Sequence, residues 1–461
     1  MGKNSKKRRD AKRRRHGTAA KPPGAGSAGA APRRPVTGDA AIRELLGAAL
    51  DLLRSRSAAP RAIERAIDAL VDIDGLGGPG VHRPERMLAT SLAASVTTAW
   101  EHGWEPLDLH HVARRQGDAK LGRLAIAVIA AEGAAGRDDA PQRWRDQLDT
   151  LDLSPGGEPA DALVSWRRAE RIGVADALDC GLRLLLMLSE LRGLDPLGDP
   201  PSSWHRARPG HGASASSAEP SGPSAQPKLV ATIRALLAKA ESTTFPAEAE
   251  AFTAKAQDLM SRYAIDAAMV AARSHDDLAS GVRSGRVHID NPYAPEKVQL
   301  LAAVGGVNRV RVVWDGTYAM AGIVGFPLDL ELVELLFTSL LVQATRAMTE
   351  ASDGTSHTRS PSFRRAFFLA YSDRIGERLR QAESEAETGA ATEYGTDLVP
   401  VLAQRREAVD EVFDRLFPGS RPMKGRMVDA RGWDAGQHAA DQASLSTAPP
   451  RSPRLRGQPA G

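Results

Sequence analysis

The sequence predicts an α+β fold that is predominantly helical. Apolar residues recur at helical spacing along most of the chain, and a stretch around Asp315-Gly316 alternates as two strands joined by a hairpin turn. Aromatic residues make up only 5% of the 461 residues. The cores must therefore be built largely from Ala, Leu and Val, and an alanine-rich core favours helices because Ala loses no side-chain entropy there.

A chain of 461 residues is too long for one ordinary core and predicts two or three domains. The clearest boundary is a stretch rich in Ser, Pro, Gly and Ala that has no apolar period. The predicted organisation is a disordered polybasic tail over 1–38, an all-helical domain over 39–198, a disordered linker over 199–227, a helical hairpin over 228–274, an α+β domain over 283–445 and a disordered tail over 446–461.

Positive charge is concentrated at the start of the chain. Residues 1–36 contain twelve Lys and Arg and one acidic residue, a local net charge of +11, whereas the rest of the chain is −7. The tail is therefore predicted to contact phosphates without sequence preference, with a solubilising role as the alternative. The negative remainder does not predict a basic nucleic-acid-binding face on the folded part. The candidate nucleic-acid contacts are Lys6, Lys7, Arg8, Arg9, Arg13, Arg14 and Arg15.

The single cysteine, Cys180, excludes an internal disulfide framework and a cysteine-rich zinc site. It lies in an apolar run, where a free cysteine is usually a small buried residue. No apolar stretch approaches the ~20 residues of a membrane span, and the basic start is not followed by an apolar signal core. We therefore expect a soluble protein of the reducing cytoplasm.

The all-helical region is predicted from apolar stripes such as Ile42, Leu46 and Ala49. In the connector between two of its helices, Gly103 would end one helix and Pro106, near Asp108, would start the next. Further helices are predicted over Pro84–His102, Leu121–Glu132 and Ala160–Leu191.

The hairpin is predicted from two stripes of one helical face each. The first stripe begins at Leu229 and ends at Ala240, and the second begins at Phe252 and ends at Tyr263. Pro246 suits the first position of the second helix, because its missing N–H would have no partner there. Two such helices joined by a short loop are antiparallel neighbours that bury facing stripes.

Residues 234–266 resemble nearly the whole signature of the family catalogued as domain of unknown function 2786. The recognisable elements include Leu237-x-Lys-Ala, Lys255-Ala-Gln-x-Leu-Met and Tyr263-x-Ile-Asp. Strings that begin at Gly325, Phe363 and Arg431 resemble segments that accompany this hairpin, so the resemblance extends over about 228–445. The connector segment Gly-Trp-x-Pro-x-Asp-Leu resembles long actinobacterial members. The resemblance implies no biochemical role.

Polar positions inside the motif are candidate binding residues. The two lysines could hold an acidic partner, but a solvated face with local charge pairs, each worth about 0.3–0.5 kcal/mol, is the preferred interpretation. These candidates are Lys239, Glu248, Glu250, Lys255 and Gln257.

The region after the hairpin is predicted to be a small antiparallel sheet covered by long helices. The predicted strands are Gly285–Asp290, Arg309–Val313 and Tyr318–Val324. The predicted helices are Pro295–Val304, capped by Gly305 and Gly306, then Leu328–Met348, one starting at Ser360-Pro361, and Leu398–Phe417.

The sequence contains no Walker A loop, dinucleotide fingerprint or His-Glu-x-x-His motif. His110-His111 with His102 and Glu105 could suggest a metal site, but adjacent histidines point in different directions, so no metal and no cofactor is expected. Carboxylates and histidines of the α+β domain form the remaining set of catalytic candidates. They are Asp329, Glu331, Glu334, His357 and His438.

A fold signature without a catalytic constellation favours a non-enzymatic binding or scaffold protein whose basic tail contacts nucleic acid. The alternative is a hydrolase, of nuclease or peptidase type, with a site in the C-terminal α+β module. Whether the protein is an enzyme stays open. Nucleic acid through the tail, or another protein, is the expected partner, and no membrane is.

Overall fold

A computed structural model describes residues 38–55, 59–75, 82–133, 139–153, 157–204, 225–243, 246–274, 278–351, 357–394, 398–421 and 429–443. These residues form seventeen α-helices and one three-stranded antiparallel sheet. The predicted fold class, α+β and predominantly helical, is confirmed. Residues 1–37 of the predicted tail at 1–38, the predicted tail at 446–461, and the middle of the predicted linker at 205–224 lie outside the described residues.

The first nine helices form a bundle that surrounds α3. Leu88 and Leu92 of α3 are fully buried against Leu163 and Leu182, so α3 has neighbours on several sides. The bounds are α1 Gly38–Arg54, α2 Pro60–Gly75, α3 Arg83–Glu101, α4 Pro106–Gln116, α5 Ala119–Glu132, α6 Gln142–Thr150, α7 Ala162–Glu170, α8 Val174–Ser189 and α9 Pro201–Trp204.

The predicted single helix Ala160–Leu191 is divided in the structure. A 3-10 turn, Pro159–Asp161, precedes α7, which ends at Glu170. Arg171 then adopts a left-handed backbone with φ of 56°, and α8 starts after Gly173. The apolar spacing continues across this break, because α7 and α8 both pack on the same core. Periodicity alone therefore did not show the turn.

The hairpin consists of α10, Ala225–Ser242, and α11, Pro246–Ser274. Its facing stripes are buried as predicted, with Ile233 and Leu237 of α10 packed in the same core as Ala256 and Met260 of α11. The same core includes residues of the sheet and of four later helices. The hairpin is therefore packed into the α+β module.

The sheet contains β1 Arg283–His288, β2 Arg311–Asp315 and β3 Met320–Gly325 in the order β1-β3-β2. The predicted hairpin around Asp315-Gly316 is confirmed, because Asp315 of β2 pairs with Met320 of β3. The strand order places β3 in the centre and leaves β1 and β2 at the two edges. Sequence patterns predicted the three strands, each shifted by about two residues, but not this order.

Helices cover the sheet and complete the module. Gly305 and Gly306 were predicted to cap a helix, but α13 continues through them to Val307. The predicted cap was therefore wrong. Gly305 has a packing role instead: a Cβ there would lie 3.0 Å from the Val310 carbonyl oxygen, so the glycine allows α13 to approach β2 closely. The bounds are α12 Leu278–Gly281, α13 Ala294–Val307, α14 Pro327–Glu350, α15 Pro361–Tyr394, α16 Leu398–Leu416 and α17 Ala430–Gln442.

The two faces of the sheet have different neighbours. Ala321 and Ile323 of β3 face α13 and α14 in one core, which we call the inner face. On the other, outer face, Met320 belongs to the core of the first nine helices and Val324 packs with Val409 and Phe413 of α16. Within the described ranges, no helix is both long and apolar enough to cross a membrane.

Candidate functional site

The outer face of the sheet brings polar residues of the two edge strands, β1 and β2, to the two sides of β3. Strand register places Arg286 of β1 opposite Gly322 of β3, and Gly322 opposite Val313 of β2. Because side chains alternate along a strand, His288 and Arg311 project on this same face. The outer face therefore presents arginine and histidine side chains between the helical bundle and α16.

Asp108 of α4 holds the bundle against β1. It is 2% exposed, and its carboxylate accepts hydrogen bonds from Arg286 Nη1 at 2.5 Å and from His288 Nε2 at 2.8 Å. The same carboxylate accepts from the Glu105 backbone N–H at 3.0 Å, which caps α4. Burial raises the pKa of Asp108, but the His288 hydrogen bond and the Arg286 charge outweigh it, so the pKa is lowered. Asp108 is therefore an ionised carboxylate between two elements.

The sequence indicated only the capping role of Asp108. Its two other partners follow it by 178 and 180 residues, and no local pattern links such distant positions. An acidic residue in the first turn of a helix is also fully explained by the helix dipole and the cap. No sequence signal could therefore have identified this contact.

Three of the four residues considered as a metal site, His102, Glu105 and His111, have separate partners. His111 Nε2 lies 3.1 Å from the Tyr318 carbonyl oxygen, and His102 Nδ1 lies 2.7 Å from the Thr98 carbonyl oxygen. Glu105 accepts hydrogen bonds from two side chains of α6. Burial and the neighbouring His288 lower the pKa of His111 to about 4. Among the residues that the structure describes, no three His, Cys, Asp or Glu side chains are arranged to hold a metal ion.

A cleft of about 980 Å³ opens beside the edge strand β2. Its walls are α13, the segment that follows α8 at 192–197, and the end of α16 with residues 417–421. Arg286 and Gly322 of the outer face also line it. The cleft therefore lies where the helical bundle, the sheet and α16 meet.

Two arginines of the cleft lie over aromatic rings. The Arg192 guanidinium carbon is 5.5 Å from the centre of the Tyr318 ring, and that of Arg311 is 4.4 Å from the centre of the Phe413 ring. Arg192 also lies 3.4 Å from a carboxylate oxygen of Asp315. These contacts fix the cations at the wall, and their side chains remain 66% and 46% exposed.

The proposed catalytic set of the α+β module is not brought together. Asp329 is buried and pairs with Arg405 at 3.3 Å, whereas exposed Glu331 pairs with Arg234 at 3.5 Å. Burial raises the pKa of Asp329, and the nearby arginines only partly oppose this. The remaining three members also have separate neighbours. Glu334 lies near Gly285, His357 lies near Asp429, and His438 lies near Gln442.

The polar positions of the hairpin motif differ in their surroundings. Gln257 is 2% exposed, and its amide donates to Asn308 Oδ1 at 3.2 Å. Lys255 is exposed and pairs with Asp258 at 2.9 Å. The Lys239 ammonium lies 5.6 Å from the centre of the Phe252 ring. Glu248 is exposed and accepts a hydrogen bond from Thr243 at 2.9 Å. The Glu250 side chain lies outside the described residues, as do the seven candidate nucleic-acid contacts of the N-terminal tail.

Comparison with known families agrees with the hairpin resemblance. Residues 228–267 match the model of a family described as "Protein of unknown function (DUF2786)". The matched segment covers nearly all of α10 and the first three-quarters of α11. No curated protein and no solved structure matches the chain.

Proposed function

We propose that this chain is a non-enzymatic binding protein that contacts nucleic acid, with its basic N-terminal tail supplying phosphate contacts. The cleft beside the edge strand β2 is the observation that supports a binding function most directly. Twelve basic residues in positions 1–36 support nucleic acid as the ligand, because Lys and Arg contact phosphates at little structural cost. The same proposal includes a cytoplasmic location and an actinobacterial source. It also includes another protein as a second kind of partner.

A salt titration tests the role of the tail. The full chain is compared with a full-length variant in which Lys6, Lys7, Arg8, Arg9, Arg13, Arg14 and Arg15 are replaced by Ser, and binding of a labelled single strand is followed by fluorescence anisotropy. Removal of each phosphate-binding side chain should reduce the slope of log K against log salt by about 0.7. We expect a reduction of up to about 5 if all seven residues bind phosphate.

The control keeps the type of substitution and changes its location. Exposed arginines in helical ion pairs, such as Arg183 with Asp179 and Arg346 with Glu350, are replaced by Ser in the folded part. These changes should leave the slope as in the parent chain. If the full chain shows no salt-dependent binding to any single or double strand, the proposed function is wrong.

A hydrolase that uses the five candidates of the α+β module receives no support from their separate partners. The binding experiment also tests this alternative, because the labelled strand can be recovered afterwards and its length measured. A strand that is shortened in proportion to the protein added would favour the hydrolase over the binding protein.

A further inference from the structure

The cleft beside β2 combines cations with aromatic surfaces. Arg192 and Arg311 lie over the rings of Tyr318 and Phe413, and Arg421 is an exposed residue of the lining. A guanidinium over a ring keeps its in-plane N–H groups directed outward, where they can donate to phosphate oxygens. The rim of the cleft is therefore suited to an anionic chain.

Two further aromatic rings are only half-buried in the lining. Trp314 lies on β2 opposite Ala321, on the inner face, and Phe417 follows the end of α16 on the outer face, so the two rings flank the edge of β2 from opposite sides. A Cβ at Gly322 would lie 2.8 Å from Val313 Cγ1 and 3.2 Å from the Phe417 ring, so the glycine lets this ring approach the sheet. Half-exposed aromatic rings offer faces on which bases can stack.

The charge of the cleft differs from that of the chain around it. Residues 37–461 together carry −7, yet three partly exposed arginines line this cleft. Arg192 pairs with Asp315, and Arg311 pairs with Asp410. The described lining therefore contains four arginines and two carboxylates, on a chain whose remainder is negative overall.

The size of the cleft restricts the form of its ligand. About 980 Å³ is at the upper end of the range of roughly 300–1,000 Å³ for pockets that enclose a drug-sized molecule. In a duplex the base faces are already stacked on each other, so only unpaired nucleotides could stack on Trp314 or Phe417. A few unpaired nucleotides meet both conditions.

We propose that this cleft binds a short stretch of single-stranded nucleic acid, with phosphates on its arginines and bases on Trp314 and Phe417, independently of the N-terminal tail. This inference rests on the proposed nucleic-acid function and adds a second site in the folded part. An extended peptide is the competing occupant, because β2 has no strand on its outer edge among the described residues and such an edge can also accept a strand.

The experiment uses the full-length variant whose seven tail residues are Ser, so that tail contacts do not hide the cleft. Labelled single-stranded RNA and DNA of about 12 nucleotides, a length within the usual site sizes, are titrated at about 0.1 M salt. The variant should still bind a single strand and should bind the matching duplex more weakly. The RNA and DNA arms decide which of the two is preferred.

Two substitutions in this background locate the binding. Trp314→Ala should weaken single-strand binding by roughly 5- to 150-fold, the range for loss of one base stack. Arg421→Ser, at an exposed position, should weaken it by a few-fold and lower the salt slope by about 0.7. Trp144→Ala and Arg183→Ser remove the same residue types outside the cleft lining and should have no effect.

Circular dichroism and thermal melting establish that each variant is folded, and Arg421→Ser provides a test that does not depend on the packing of Trp314. If the full chain binds but the tail variant does not, the proposed function stands and the cleft inference is wrong. Undiminished binding by the Trp314 and Arg421 variants, or displacement of the strand by an acidic heptapeptide, would also overturn it. If the unmodified chain binds no nucleic acid, both proposals fail together.

Discussion

His288 of β1 donates to the carboxylate of Asp108 at 2.8 Å, and this contact joins a helix of the N-terminal bundle to an edge strand of the sheet. Arg286, two residues earlier on β1, binds the same carboxylate and also donates to the Asp195 carbonyl oxygen at 2.6 Å. Because Arg286 and Asp195 line the cleft, the position of one buried carboxylate influences the shape of the proposed binding site.

Replacement of Asp108 by Ala should destabilise the protein strongly. The change leaves the Arg286 guanidinium, whose side chain is 8% exposed, without its counter-charge. Loss of one partner of a buried pair typically costs about 3–5 kcal/mol. Urea unfolding followed by circular dichroism measures this cost. The matched control is Asp51→Ala, whose side chain is 78% exposed beside Arg54, and it should change stability by less than about 1 kcal/mol. A cost below that value for Asp108→Ala would show that the contact is dispensable.

Acidification should destabilise the packing around His111. Its pKa is about 4 in the fold but about 6.5 in an unfolded chain, so the unfolded state binds the proton more readily. The stability contributed by neutral His111 is fully present above pH 6.5 and is lost as the pH falls toward 4. The loss should reach about 2 kcal/mol at pH 5.

His111→Gln isolates this effect. Glutamine can still donate to the Tyr318 carbonyl oxygen but does not titrate, so the variant should lose less stability than the parent between pH 7 and pH 5. Burial raises the pKa of Glu334 and of Glu383, and these groups change stability with the opposite sign in both proteins. His110, whose pKa is lowered by burial, is retained in both. Identical pH profiles for the two proteins would contradict the assignment to His111.

Gln257 should be the motif position at which substitution affects stability most. Gln257→Leu removes the donor to Asn308 Oδ1 and leaves that buried oxygen without this hydrogen bond, at a cost of about 1–3 kcal/mol. Thermal melting of Gln257→Leu against Lys255→Ala and Lys239→Ala tests this, since both lysines are exposed and should change stability by less than about 0.5 kcal/mol. If either lysine variant lost more stability than Gln257→Leu, the prediction would be wrong, and that lysine would have a structural role in addition to its contact with solvent.

The buried pair of Asp329 and Arg405 should behave non-additively. Arg405 lies 3.8 Å from the centre of the Phe326 ring and is 5% exposed, so Arg405→Met alone leaves the Asp329 carboxylate buried and should cost about 3–5 kcal/mol. Addition of Asp329→Leu removes the unpaired carboxylate and should restore most of that loss. A double-mutant cycle in urea measures the coupling. Additive costs would mean that Arg309, which also acts on Asp329, compensates for the missing partner.

The elements that the sequence predicted correctly depend on local rules. The facing stripes of the hairpin and the Asp315-Gly316 turn are each encoded within a few residues, by helical spacing and by a glycine that favours a tight turn. The same rules misplaced Gly305, because a glycine near a helix end indicates a cap unless a neighbouring backbone requires the space. They also missed the break at Arg171, because α7 and α8 pack on the same core and the apolar spacing continues across the break.

The sequence by itself determined the helical character of the chain, the hairpin with its family resemblance, the three strands and the concentration of positive charge before residue 37. Only the tertiary structure decided the strand order, the pairing of Asp108 with Arg286 and His288, and the cleft beside β2. The physical reason is the range of the interactions. Periodicity, turns and caps act over a few residues, whereas the Asp108 contacts join positions 178 and 180 residues apart that become neighbours only when the bundle packs on the sheet.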